Sequence, residues 1–207
     1  MRISELFAGL LMISFTTAGW AAEPYQLIKP AQPTHSGDKI EVVEVFWYGC
    51  PHCYSLEPYL EDWLKNKPDD VAFRRVPGIL GKNWIAHARA YFTAEKLGIV
   101  DKIHRPLFDA IHRDRKNIMS ESALRDFFAQ QGVDKKQFDD IYQSDEVSDM
   151  VKSAFSEGQA FGLTGVPAIV VNGKYLTSAS QAGGNKELIS VIGQLTEQER
   201  SAQAAAE

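Results

Sequence analysis

Cysteine is scarce in this chain, with two residues in 207. That excludes a disulfide framework of the kind that staples small secreted folds, and it leaves neither cysteine a third to pair with. Long apolar runs are also missing. Past the N-terminal segment no stretch of about 18 consecutive apolar residues occurs, so no membrane-spanning helix is expected there. Basic charge is not in excess. Lys and Arg number 22 against 27 Asp and Glu, a formal charge of −5, which removes the electrostatic footprint of a nucleic-acid binder. No internal repeat or low-complexity block is present. What remains is the composition of an ordinary globular protein, 44% hydrophobic and 24% charged, long enough for one domain with a real core or one domain carrying an insertion.

The first residues read as a secretory signal. Arg2 supplies a basic start, Leu6 to Phe15 is a short apolar run, and Gly19 and Ala21 are small residues where a signal peptidase reads them. Cleavage after Ala21 is expected, giving a signal peptide over 1–21; cleavage after Ala22 would put bulky Trp20 at a small-residue position. Glu5 is atypical of such a segment, and an uncleaved anchor is the alternative. The mature chain is expected in an oxidising compartment, where a disulfide persists.

The segment from Ala22 to Gly37 is irregular, with Pro24, Pro30 and Pro33 and one short edge strand near Tyr25 to Ile28. Ile40 to Trp47 is β-branched and aromatic and predicts a buried strand. Tyr48-Gly49 makes a turn, and a helix is expected from about Cys50 to Asn66, with Pro51 tolerated in its first turn and Pro58 kinking it. Val71 to Val76 predicts a second strand, parallel to the first through a right-handed crossover. Asn83 to Ser144 carries four short amphipathic patterns, with Ser120 and Asp134 as N-caps and Gly98 and Gly132 as stops. A helix over Asp145 to Phe161 places Val147, Val151, Ala154, Phe155, Gly158 and Phe161 on one side. Ala168 to Val171 and Lys174 to Leu176 flank Asn172-Gly173, a hairpin signal. A last helix runs from about Lys186 to Leu195, and the alanine-rich tail past Glu197 is expected to fray. This order predicts an α/β, thioredoxin-like fold split by a helical subdomain. Its boundaries are 22–82 and 145–196 for the thioredoxin-like parts, 83–144 for the insertion and 197–207 for the tail.

The two cysteines stand as Cys50-Pro51-His52-Cys53. A disulfide between them closes a loop too short to remove much freedom from the unfolded chain, so it is a poor structural staple. Zinc wants four ligands, and the sequence has no second such pair; covalent haem attachment wants His where Tyr54 stands. Neither a metal nor another cofactor is expected. A helix N-terminus carries unsatisfied N–H groups and a partial positive charge, which favours a Cys50 thiolate, the reactive species. His52 can add a hydrogen bond or a charge. Cys53, one turn on, lies deeper and would resolve what Cys50 captures. A Cys50 pKa of about 4 would count for about 3 units at neutral pH, or about 4 kcal/mol, which raises the reduction potential by about 90 mV.

Two other positions bear on the chemistry. Gly165-Val166-Pro167 precedes the strand at Ala168, and Pro167 reads either as a strand-opening residue or as a cis proline beside the disulfide, with nearby backbone open to an extended peptide. Glu44 interrupts Val42-Val43-Glu44-Val45-Phe46. It reads either as a core carboxylate of raised pKa relaying protons to Cys53 or as a solvent-facing side chain. His35, His87, His104 and His112 show no ligand spacing and read as surface or satisfied core residues; Trp84, Tyr91, Phe127 and Phe128 read as packing.

The run Phe46 to Tyr54 (FWYGCPHCY), with Glu44 before it and Gly165-Val166-Pro167-Ala168 after, resembles the DsbA family of periplasmic thiol:disulfide oxidoreductases. The likeness extends over almost all of the mature chain. It implies that Cys50 is the nucleophile, Cys53 the resolving thiol, His52 the thiolate stabiliser and Pro167 a cis proline. By the same resemblance Val166 offers backbone to substrate and Glu44 is a buried acid. It further implies reduced secreted proteins as substrates, reoxidation by a DsbB-type quinone-linked membrane protein, a periplasmic location and a monomer. The family is the standard example of a lowered cysteine pKa and an oxidising disulfide, so the figure of about 90 mV is not independent of the resemblance. Gly49 departs from members with an aromatic residue before the first cysteine. The alternatives are a reductase or isomerase of the same fold, the latter generally needing a dimerisation domain for which there is no room before Ile40, and a non-catalytic peptide-binding chaperone.

Overall fold

A computed structural model describes residues 23–205, so the signal segment read at 1–21 lies outside the described residues. Five strands form one sheet: β1 (Gln26–Leu27), β2 (Ile40–Phe46), β3 (Val71–Pro77), β4 (Ala168–Val171) and β5 (Tyr175–Thr177), in the order β1-β5-β4-β2-β3. Every residue of β2 is buried, as befits the strand between a parallel neighbour, β3, and an antiparallel one, β4. The helix α1 (Pro51–Asn66) crosses between β2 and β3 and continues through Pro58.

Between β3 and the second half of the sheet stand a 3₁₀ turn (Lys82–Trp84) and four helices, α2 (Ile85–Lys96), α3 (Val100–His112), α4 (Glu121–Gln130) and α5 (Lys135–Tyr142). These form the helical insertion. Ser120 and Asp134 cap α4 and α5 by accepting from the amides of Ala123 and Gln137. Next come α6 (Asp145–Ala160), capped by Ser144, the β4–β5 hairpin, a short α7 (Ala179–Ala182) and α8 (Asn185–Ala204). Asn172 and Gly173 both have positive φ, 50° and 64°, as a two-residue hairpin turn demands. A side chain at Gly173 would run into the Gln32 carbonyl.

The core lies on both faces of the sheet. One face buries Ile40, Val42 and Ile169 against Leu56 and Leu60 of α1 and Leu188, Ile192 and Leu195 of α8. On the other, Val43, Val45 and Val170 join a larger cluster with Leu107, Phe108, Phe128 and Phe138 of the insertion and Val147 of α6.

Two expectations are corrected. Among the described residues the stretch past Glu197 does not fray; α8 runs to Ala204. Glu199 is buried and accepts hydrogen bonds from Asn172, Lys174 and Tyr175, and Arg200 pairs with Asp70 at 2.7 Å. Tertiary partners there override the fraying expected of an alanine-rich chain end. Phe155 leaves the buried side of α6 and is 44% exposed, lining an apolar groove with Leu80, Ile85, Val151 and Leu163.

Candidate active site

Cys50 is the N-cap of α1, in extended conformation (φ −91°, ψ 117°), with Pro51 in the first turn. Proline there sacrifices no helical hydrogen bond, because the first amides of a helix have no partner within it. Cys50 and Cys53 are both free thiols. Cys53 has no exposed surface, whereas Cys50 keeps 8%, less than expected for an open nucleophile. The Val166 carbonyl covers it, accepting the Cys50 S–H at 3.4 Å. The peptide bond between Val166 and Pro167 is cis. Pro51 and His52 are exposed, and His52 lines a depression of mixed polarity with Thr164, Val166, Pro167 and Gln181.

The two thiols are electrostatically unlike. The Cys50 pKa falls from 9.0 to about 6. The largest cause is the hydrogen bond from the Cys53 thiol; burial opposes it, and the amides of Cys53 and His52 and the His52 charge assist. Direct donors to the sulfur therefore outweigh His52, and the drop is smaller than the fall to about 4 considered above. At pH 7 only about one unit of it counts. Burial and the nearby Cys50 sulfur push Cys53 far upward, so it stays protonated.

Glu44 is fully buried, with its pKa raised to about 8, first by burial and then by Glu57, against the lowering effect of Arg75. The Arg75 guanidinium bonds Glu44 at 2.9 Å and Glu57 at 3.3 Å. Glu57 Oε1 also accepts from His104 Nε2 at 3.1 Å, and His104 Nδ1 meets the Tyr48 hydroxyl at 3.0 Å. Burial disfavours a charged His104. Burial also pushes Glu57 up, but the His104 bond and the Arg75 charge outweigh it and keep Glu57 below the usual carboxylate range. Ligand atoms of Glu44, Glu57 and His104 lie within 4.8 Å of one another, close enough for a metal ion. Arg75 already supplies a cation to both carboxylates, and an ion would have to displace it.

The structure thus brings Cys50, Cys53, Val166 and Pro167 together, with the buried Glu44 near enough for its charge to bear on Cys53. Sequence reasoning missed Glu57, Arg75, His104 and Tyr48. A charged residue in an otherwise amphipathic helix, as Glu57 is, carries no local mark of burial. His104 is a satisfied core histidine, as read, but its partner is a carboxylate of the site.

Gly49 has a local cause. A side chain there would fall inside the Trp47 indole, which stacks on Trp84 of the insertion.

Residues 70–189 match the family described as a DSBA-like thioredoxin domain. Among curated proteins, a thiol:disulfide interchange protein DsbA of Azotobacter vinelandii is 43% identical over 97% of this chain and 98% of its own. That of Pseudomonas aeruginosa is 38% identical over 98% and 94%. The crystal structure of Pseudomonas aeruginosa DsbA superposes with a TM-score of 0.83, covering 87% of this chain and 94% of that one. The Xylella fastidiosa enzyme gives 0.81 at 31% identity, over 87% and 97%. A thiol pair at a helix start beside a proline loop, in a thioredoxin-like sheet split by helices, therefore has near-full-length counterparts, and the chain belongs to the DsbA family of thiol:disulfide oxidoreductases.

Proposed function

We propose that the protein works as an oxidase of reduced secreted proteins in the periplasm, donating its Cys50–Cys53 disulfide. A substrate thiolate attacks the Cys50 sulfur; the Cys50–Cys53 bond breaks, a mixed disulfide forms, and Cys53 leaves as a thiolate that takes a proton. A second substrate thiolate then attacks the mixed disulfide, forming the substrate disulfide and releasing Cys50 as a thiolate. Two electrons pass from substrate to protein. Their return to a DsbB-type quinone-linked membrane oxidase regenerates the disulfide.

One observation carries this reading: the thiols differ in opposite senses, Cys50 lowered to about 6 and Cys53 pushed far up. Cys50 is thus the good leaving group and Cys53 the thiol that retains its proton. Pro51 and His52 start the helix that makes this difference. Val166 and Pro167 offer an extended substrate its backbone partner over Cys50. Glu44, buried and largely protonated at neutral pH, supplies the proton that Cys53 takes up. The protein acts as a monomer delivered by the signal segment at 1–21, and among the described residues no helix is long and apolar enough to cross a membrane.

Trapping tests the assignment. With Cys53→Ser, covalent complexes with secreted cysteine-containing proteins should accumulate on non-reducing gels; with Cys50→Ser they should not. Trapping by Cys50→Ser and not by Cys53→Ser would reverse the nucleophile, and none by either would favour the peptide-binding chaperone.

A further inference from the structure

The buried carboxylates are too many for their cation. Glu44 on β2 and Glu57 on α1 share the single guanidinium of Arg75 on β3, and Glu44 holds it more closely, at 2.9 Å against 3.3 Å. Glu44 Oε1 has no hydrogen-bond partner, so Arg75 is its main support. Glu57 has a second donor: Nε2 of His104, reaching in from α3 of the insertion at 3.1 Å. A carboxylate only accepts, so Nε2 carries the hydrogen and Nδ1 must accept from the Tyr48 hydroxyl at 3.0 Å. Tyr48 is itself held in place, because its carbonyl accepts from His112 Nε2 at 2.7 Å. The ring of His104 is packed edge-on by Phe46 and Phe108, which leaves it one orientation.

We infer that His104, with its tautomer held by Tyr48, is a positioning residue: its N–H satisfies Glu57 and so leaves the Arg75 guanidinium to Glu44. The insertion thereby reaches the carboxylate near Cys53 without touching the thiols. Without that N–H, the buried Glu57 carboxylate would draw Arg75 toward itself, since a buried charge short of a partner is costly. Glu44 would then ionise less readily and give up its proton to Cys53 less readily. The groups facing Glu44 and His104 are Glu57, Glu61 and Cys53 of α1, Arg75 of β3, Tyr48 after β2 and Tyr91 of α2. The chemical consequence rests on the reading of Glu44 as the proton donor to Cys53. The placement of Arg75 does not.

The test is the titration of the Glu44 carboxyl, followed by carbon-13 NMR in the full oxidised chain with labelled glutamate and assigned by loss of the signal in Glu44→Gln. His104→Phe fits the aromatic surroundings and removes the donor. It should raise the midpoint by about one unit, roughly a tenfold loss of ionised carboxylate at a given pH. His104→Gln keeps an N–H for Glu57 and should titrate with the parent. In a Glu57→Gln background, which leaves no second carboxylate to compete and keeps the test open if His104→Phe folds poorly, adding His104→Phe should change nothing. An unmoved midpoint in His104→Phe, an equal shift in His104→Gln, or the same shift in the Glu57→Gln background would each overturn the inference. Rates of mixed-disulfide resolution against pH separate the two claims. A shifted carboxyl with an unshifted rate profile would uphold the positioning role and remove Glu44 from the proton path.

Discussion

The indole of Trp84, at the start of the helical insertion, lies flat on that of Trp47, three residues before Cys50, with ring centroids 4.3 Å apart and planes 6° from parallel. The stack roofs Gly49, and the missing side chain there makes room for it. It also ties the insertion to the turn that presents the thiols.

Gly49→Ala should break this arrangement. The added methyl would displace Trp47 from Trp84, at a cost of about 1–3 kcal/mol for overpacking. Near-ultraviolet circular dichroism should lose the signature of the stacked indoles, and denaturant melts should show the destabilisation. An unchanged spectrum would mean that the turn accommodates the methyl elsewhere.

Cys50 thiolate absorbance in the reduced protein should titrate near 6. Cys53→Ala removes the largest stabilising contact and should raise the midpoint more than His52→Ala, whose charge is the least of the causes. The opposite order would make His52 the dominant influence.

The reduced protein should be more stable than the oxidised one by a margin that grows with pH. The folded Cys50 pKa is lowered, so its contribution is fully present above the unfolded value near 9.0 and is lost as pH falls through about 6. Between those values the gap should widen at somewhat less than the limiting slope of about 1.4 kcal/mol per pH unit, because the folded and unfolded titrations overlap and the difference stays below one full proton. Cys53 acts in the opposite sense. Its folded pKa is raised, so its contribution is lost only above 9.0, which closes the window there. Urea unfolding of both forms at several pH values measures the gap; a gap independent of pH would contradict it.

Glu199→Ala should destabilise the fold by about 1–3 kcal/mol, the cost of leaving one buried and two partly buried donors unpaired. The variant strips the partner from Asn172, Lys174 and Tyr175 at the β4–β5 hairpin. Thermal melts would register it, while the Cys50 titration should stay where it was.

Local chemistry made much of this protein legible in its sequence. β2, α1 and the β4–β5 hairpin announce themselves through short-range causes: a β-branched run, a proline-tolerant helix start at Cys50, and Asn172-Gly173 at positive φ. The thiols could be read for the same reason, since four consecutive residues place them one helical turn apart. What tertiary structure alone decided is which distant groups meet. Glu44 could face core or solvent until α1 packed over the sheet and brought Glu57 to the same Arg75 guanidinium. Glu57, Arg75 and His104 come from a helix, a strand and the insertion, up to 47 residues apart, and no spacing rule links them. The last turns of α8 look disordered by composition, yet Glu199 and Arg200 find partners more than 20 residues away. Helix starts, turns and strand runs depend on neighbours in sequence, whereas the pairing of buried charges depends on which surfaces the fold brings together, and burial then makes the unpaired alternative too costly.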